Sequence, residues 1–351
     1  MTDPRQLTFA LPGDITTLTG GYVYDRRLVE GLRAQGREVR ILSLPDSFPT
    51  PSEAEMAQAL ADLQALPPQR PVIVDGLAFG ALDPAGVAAI AAPIVAMIHH
   101  PLAQESALPA DLADHLWRTE RANLAHARHV LVPSPHTRAM LIERYDVAPD
   151  RITVVRPGTD RPAQAPAPAP VDPPLILSVG ILHPRKGHDV LIAALARLAD
   201  LDWQAVIAGN PWDLPHVAAL EAQIRDSGLA GRLELAGRVA PERLAQLYAQ
   251  ASIFALATRY EGYGIVFDEA LSHGLPIVST RTGAVPDTVP KDAGLLVAPD
   301  DAPALALALR RLLEAPQDRA ACAAAAALAG AALPGWSDTA QLAGQVLDTL
   351  A

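Results

Sequence analysis

Short apolar runs alternate with amphipathic stretches along the first half of the chain. The runs at residues 7–11, 39–44, 72–75, 94–98, 130–133 and 152–155 are four to six residues long and rich in Val, Ile and Leu. That length and composition predict strands buried in a sheet. Between them the apolar spacing lengthens, which predicts helices over 22–35, 53–66, 84–91, 110–125 and 135–145. Strands alternating with helices imply a parallel sheet wrapped on both faces. Residues 161–174 then read R-P-A-Q-A-P-A-P-A-P-V-D-P-P. Its prolines forbid a continuous helix or a central strand, so an extended, semi-rigid linker is expected.

After the prolines the alternation restarts. Strands are predicted at 175–179, 204–208, 233–236, 253–256, 276–279 and 295–297, and helices at 188–198, 214–227, 241–251, 266–273 and 302–313. An alanine-rich helix holds Cys322, and a last helix over 338–350 is expected to be capped by Ser337. The expected organisation is α/β with two doubly wound domains, 1–162 and 175–335. A linker at 163–174 would join them, and a C-terminal helix at 336–351 would cross back to the first domain. Ligands of such sheets collect at the carboxyl ends of the strands, so a cleft between two such domains is the expected site.

The length of 351 residues suits about two domains, and 50% hydrophobic residues supply two cores. A formal net charge of -11 argues against general affinity for nucleic acid or anionic membranes, while permitting a local basic patch. A single cysteine excludes a disulfide framework and a cysteine metal site, which suits a reducing, cytoplasmic setting. The opening MTDPRQLTFALPGD has no long apolar core, so no signal peptide is expected. The longest weakly polar run, 320–333, is shorter than the ~20 residues of a spanning helix. Any membrane contact is therefore expected to be peripheral, at an inner face.

The chemistry concentrates in the second half. Residues 259–269 read R-Y-E-G-Y-G-I-V-F-D-E. Gly262 and Gly264 favour a tight loop, with Glu261 on it and Glu269 on the helix that follows. The free amides at that helix start can meet an anion or sugar hydroxyls. Upstream, Gly180 follows a buried strand, and Arg185 and Lys186 stand just before a helix, which suits a pyrophosphate. In the first half, His99 and His100 end an apolar strand, where an imidazole can hydrogen-bond a sugar or assist an acceptor. Asp200-Leu201-Asp202 resembles a metal motif but lies between a helix and a strand start, so it reads as surface polar residues.

These residues, taken together, resemble the family 4 retaining glycosyltransferases of the GT-B fold. The likeness is carried by Gly180, Arg185-Lys186-Gly187, Gly209, Gly237-Arg238-Val239, Glu261 to Glu269, Ala270, Gly274, Pro276 and Val278. The first half matches more loosely, through Gly20-Gly21, His99-His100, Ser134 and Pro157-Gly158-Thr159-Asp160. The resemblance implies two Rossmann-like domains and transfer of a sugar from a nucleoside-diphosphate sugar to a hydroxyl. It implies that Arg185 and Lys186 bind the donor diphosphate and that Glu269 accepts hydrogen bonds from the ribose. It further implies that Glu261 holds the donor sugar with the amides of Gly262, Tyr263 and Gly264. Arg238 and Val239 would lie beside the base, and Gly20 and Gly21 would form a loop closing over the phosphates. No metal and no cofactor is implied. Pro157 stands where the family often has asparagine, which bears on the loop and not on the reaction class.

Departure of a nucleoside diphosphate leaves negative charge that Arg185, Lys186 and helix amides can stabilise. No residue stands out as a covalent nucleophile, so front-face attack is expected. Loops at 20–24 and 101–109 would select among lipid, polysaccharide-intermediate and small-molecule acceptors. Tyr22, Tyr24 and Leu28 have the spacing of an acceptor wall or, more simply, of core packing. The alternatives are a GT-B phosphorylase, a nucleotide-sugar epimerase, or a non-catalytic sugar-nucleotide-binding protein. The chain has no G-x-G-x-x-G, no G-x-x-x-x-G-K-[ST] and no H-E-x-x-H, which disfavours dehydrogenase, phosphate-loop ATPase and zinc hydrolase readings.

Overall fold

The structure, a computed structural model, describes residues 5–105, 108–160 and 170–350. The chain divides into two compact units. One comprises residues 1–158 and 334–351, and the other residues 159–333. Most of the proline-rich linker read in the sequence, residues 161–169, lies outside the described residues.

The first unit runs β1 (Gln6–Pro12), α1 (Gly20–Ala34), β2 (Glu38–Leu44), α2 (Glu53–Gln64), β3 (Val72–Asp75), α3 (Gly76–Phe79), α4 (Pro84–Ala88), β4 (Ile94–Met97), α5 (Ala110–Leu124), β5 (His129–Val132), α6 (Pro135–Tyr145) and β6 (Ile152–Val154). Its six parallel strands lie in the order β2-β1-β3-β4-β5-β6. The central strands are buried on both faces, which explains their unbroken apolar runs. A core of Phe79, Leu82, Leu116, Leu124, Val130 and Leu141, with its neighbours, fills one face. The chain winds outward from β1 in two directions, so the order reverses between β1 and β3. That is where such sheets open a crevice at their carboxyl ends.

The second unit runs β7 (Leu175–Val179), α7 (His188–Ala196), β8 (Gln204–Ala208), α8 (Leu214–Asp226), β9 (Leu233–Gly237), α9 (Pro241–Gln250), β10 (Ala251–Leu256), α10 (Ile265–Ser272), β11 (Ile277–Thr280), α11 (Val285–Thr288), β12 (Gly294–Val297), α12 (Ala302–Glu314) and α13 (Pro316–Ala331). Its parallel order is β12-β11-β10-β7-β8-β9, reversing between β7 and β10. Apolar cores cover both faces, one around Leu191, Leu195 and Leu309 and the other around Phe254, Phe267 and Leu271. Pro170 to Pro174 lead into β7, and Val171 N–H bonds Gln250 O at 3.2 Å.

The last helix, α14 (Trp336–Thr349), belongs to the first unit and packs along α1. Arg37 ties it down, donating to Gly344 O at 3.0 Å and Asp348 Oδ1 at 2.9 Å. The cap is not Ser337. The helix starts two residues earlier, at an N-cap Gly335 whose N–H donates to Asp338 Oδ2 at 2.8 Å. Ser337 is thus inside the first turn. Gly20 and Gly21 are likewise not a loop but the opening residues of α1, with Thr19 as N-cap. No single helix among the described residues is long and apolar enough to cross a membrane.

Candidate functional site

Two clusters stand at the carboxyl ends of the strands flanking each order reversal. In the second unit, the turn after β7 and the loop after β10 are neighbours because those strands pair directly. Pro184–Lys186 forms a single tight turn, and Gly187 ends it at φ 64° as N-cap of α7. A Cβ on Gly187 would overlap the carbonyl of Ala257. Only glycine permits that approach at that backbone angle. The contact is reinforced by Arg259 N–H to Arg185 O at 2.8 Å and by Thr258 Oγ1, which donates to Arg185 O at 3.1 Å. Arg259 also grips Asp189 on α7 at 2.7 Å and Asp300 at 2.8 Å.

This scaffold brings the cations and Glu261 together. Lys186 Nζ meets Glu261 Oε1 at 2.5 Å, and Arg185 Nη1 lies 3.8 Å from Glu261 Oε2. Arg185 Nη1 also donates to Tyr260 O at 3.1 Å. Glu261 is buried, at 4% exposure. Burial pushes its carboxyl up, but Lys186 and then Arg185 outweigh that and hold it below the usual range. The carboxylate predicted to hold a sugar is therefore already the partner of both cations predicted to hold the diphosphate. Gly180 lies beside this group, with the Lys186 side chain packed over the position its Cβ would occupy.

Glu269 sits on α10, half-buried, and Tyr248 on α9 donates its hydroxyl to Glu269 Oε2 at 2.6 Å. Burial raises the Glu269 carboxyl; the Tyr248 bond only partly opposes this. Tyr248 is itself stacked between Phe254 and His273, at centroid distances of 6.2 and 5.0 Å. Sequence reading passed over Tyr248, whose place at the buried side of α9 looks like ordinary packing. Gly264 caps α10 at φ 89°. The Tyr263 side chain is buried and bonds Asp268 Oδ2 at 2.5 Å, and its carbonyl accepts from Thr288 Oγ1 at 2.9 Å. Gly262 is buried in the same turn. Arg238 is exposed and Val239 half-buried just after β9, where Gly237 turns the chain at φ 59°. Asp200 is exposed and paired with Arg310 at 2.7 Å, so its charge is spent on an ion pair.

In the first unit the two histidines part company. His100 Nε2 meets Glu105 Oε2 at 3.1 Å. His99 instead turns toward two acids that sequence reading missed. Its Nε2 lies 2.9 Å from Asp25 Oδ1 on α1 and 3.5 Å from Asp75 Oδ2 at the end of β3. Asp25 and Asp75 are buried, at 1% and 5% exposure. Burial and then the charge of Asp25 raise the Asp75 carboxyl to about 7, against the opposing pull of His99. Burial lowers the His99 imidazole, but Asp25 and Asp75 together prevail and raise it. The side-chain atoms of the three residues lie within 4.8 Å of one another. Gly21 belongs here too, since a Cβ on it would stand 3.3 Å from His99 Cδ2. Gly20 has nothing within 4 Å of such a position.

The apolar candidates are core. Tyr24 and Leu28 are buried on α1, with Tyr24 Oη donating to Val155 O at 2.8 Å, and the half-buried Tyr22 donates to Pro12 O at 2.8 Å. Ser134 caps α6 through Thr137 N–H at 3.1 Å, a structural use. Gly158 lies against the Trp336 backbone, where a Cβ would overlap it.

Comparison with known proteins identifies the family. Residues 160–328 match the family model "Glycosyl transferases group 1", and residues 19–161 match "Glycosyltransferase Family 4". The D-inositol 3-phosphate glycosyltransferase of Xylanimonas cellulosilytica is 34% identical over 231 residues, covering 61% of this chain and 55% of that protein. An MMP alpha-(1->4)-mannosyltransferase of Mycolicibacterium hassiacum is 27% identical over 249 residues, covering 66% of this chain and 59% of that one. The matches thus span little more than half the length of these curated relatives. Among solved structures, a sucrose-phosphate synthase from Thermosynechococcus elongatus superposes with a TM-score of 0.79 at 22% identity, covering 98% of this chain and 99% of that one. Anabaena Alr3699/HepE, solved in complex with UDP-glucose, gives 0.77 at 17% identity, covering 98% and 100%. With two parallel six-stranded sheets and the two family models together matching residues 19–328, the chain belongs to the family 4 glycosyltransferases of the GT-B fold.

Proposed function

We propose that the protein moves a sugar from a nucleoside-diphosphate sugar to a hydroxyl acceptor, with retention of anomeric configuration and without a metal ion. The observation that carries this is the Arg185–Lys186–Glu261 group at the carboxyl ends of β7 and β10. Two cations held by a buried carboxylate form a preorganised electropositive spot. A diphosphate arriving there meets charge already fixed in place, so little reorganisation is needed as negative charge grows on the leaving group. Glu269, held by Tyr248, offers acceptors for ribose hydroxyls. Arg238 and Val239 border the base, and the Gly262 to Gly264 turn lies by the sugar. Among the described residues no side chain of this group stands out as a covalent nucleophile, which favours front-face attack with the departing phosphate oxygen helping to take the acceptor proton. Trapping a glycosyl adduct on Glu261 would overturn that mechanism.

The name of Alr3699/HepE's ligands makes UDP-glucose the first donor to try, and the relatives' names make D-inositol 3-phosphate the first acceptor. The single free cysteine, Cys322, suits a reducing compartment, where we place the enzyme. The test is a thermal-shift screen with UDP, GDP, ADP and their sugars, followed by product analysis of the hits. A ligand that binds only the folded state raises the melting temperature by mass action. Release of nucleoside diphosphate with an α-linked product from an α-linked donor supports the proposal. Consumption of inorganic phosphate, or an inverted product, refutes it.

A further inference from the structure

His99 is held in a way that a strand-end histidine needing only one backbone partner would not be. Its Nε2 hydrogen-bonds Asp25 at 2.9 Å and lies 3.5 Å from the Asp75 carboxyl. Asp75 is itself fixed, since its Oδ1 accepts the Leu77 N–H at 3.0 Å and so leaves Oδ2 for the ring. The Nε2–Cδ2 edge also lies against Gly21, and Tyr24 meets the ring edge-on at 5.1 Å with an interplanar angle of 81°. Nδ1 stands on the opposite edge of the imidazole. Among the described residues it has no hydrogen-bond partner, while the His99 side chain keeps 20% exposure.

The hydrogen-bond partner of Nε2 is Asp25 at 2.9 Å, and an ionised carboxylate accepts and cannot donate, so Nε2 carries a proton whether the imidazole is neutral or charged. Asp75, 3.5 Å away and with its carboxyl raised to about 7, adds its charge only where it is ionised. The proton that comes and goes is then the one on Nδ1. We infer that Asp25 and Asp75 are positioning residues for His99, fixing a proton on Nε2 and leaving Nδ1 as the ring atom that meets a ligand hydroxyl. A neutral His99 accepts from that hydroxyl, and a charged one donates to its oxygen. The carboxylates stabilise the imidazolium without themselves touching the ligand. Gly21 serves the same end, because a side chain there would press on the ring edge that faces Asp25. The other titratable groups in the cluster are the phenols of Tyr22 and Tyr24, and both donate to backbone carbonyls. The meeting with a hydroxyl rests on the glycosyl-transfer reading above; the placement of the proton does not.

Nitrogen NMR of histidine-labelled protein tests the placement directly, with His99→Gln assigning the signal. In the wild type, Nε2 is expected to stay protonated on both sides of the His99 titration, and Nδ1 alone to change. Asp25→Ala is expected to release the ring to a mixture of tautomers and to lower its titration midpoint. A wild-type ring with the bare nitrogen at Nε2 overturns the inference even if no variant folds. So does an unchanged tautomer in a folded Asp25→Ala. In the transfer assay, Asp25→Ala is expected to lower kcat at least tenfold with the donor KM within about twofold. A purely structural role would show normal kcat in the protein that remains folded. If no sugar transfer is ever detected, the NMR result still decides the proton placement, so the two failures are told apart.

Discussion

Lys186→Ala removes the cation nearest to Glu261 and leaves a buried carboxylate with Arg185 at 3.8 Å as its remaining charged partner. Both side chains of the lost pair are well sheltered, at 12% and 6% exposure, so surface discounting does not apply. Removing one member of a buried pair costs about 3–5 kcal/mol. Arg185 stays, and Glu261 can take up a proton, so the lower end, about 3 kcal/mol, is expected. With an m-value of about 3 kcal/mol per molar urea, the midpoint falls by about 1 M. The sign with pH is fixed by the cause. In the wild type the folded Glu261 is held below the ordinary carboxyl value of 4.5, so its contribution is present above that value and lost as pH falls through the folded one. In the variant, burial wins and the carboxyl rises. The deficit is therefore full above the variant's raised pKa and shrinks as pH falls through it and on through the wild type's depressed one. Urea titrations at neutral and acid pH read both numbers. Adding Glu261→Gln to Lys186→Ala should restore most of the loss, because a neutral amide needs no counter-charge, and the double-mutant cycle isolates the pair. An unchanged midpoint at neutral pH, or the same deficit at acid pH, refutes the reasoning.

Other outcomes follow from the same structure. Glu269→Ala should weaken the donor nucleotide ten- to a hundredfold, matching about 1.5–3 kcal/mol for charged hydrogen bonds to ribose; calorimetry checks it. Tyr248→Phe should cost about 1–3 kcal/mol of stability by leaving the half-buried Glu269 without its hydroxyl donor, read by urea unfolding. Gly187→Ala should fail to fold or should unfold at much lower urea, since the backbone angle and the Ala257 carbonyl both exclude a Cβ. Burial raises Glu120 to about 8 in the folded state, so its contribution is complete below 4.5 and lost as pH rises through 8; Glu120→Gln should flatten the stability profile in that window.

The strand centres and most helices were legible because their apolar periodicity is strong, and ends moved by at most three residues. Four-residue α3 was not, since Gly76-Leu-Ala-Phe reads as loop and depends on Asp75 as its cap. Gly20 and Gly21 looked like a loop because glycine weakens helix interiors, yet a first turn tolerates it. Arg185, Lys186 and Glu261 were each visible as residue types, but their pairing across 75 positions depends on β7 lying beside β10. Asp25 left a readable mark that was passed over. It occupies the first place of a helical stripe completed by Leu28, Val29 and Leu32, and an acid on a buried face needs a partner. That partner, His99, lies 74 residues away, on a different strand end.

Gly187 carries a consequence for how such an enzyme can change its donor. With no room for a side chain, the basic turn is soldered to the end of β10, and neither segment can drift without the other. A different activated sugar must then be accommodated by exchanging side chains in place, because sliding the turn would tear it from the strand that supports Glu261.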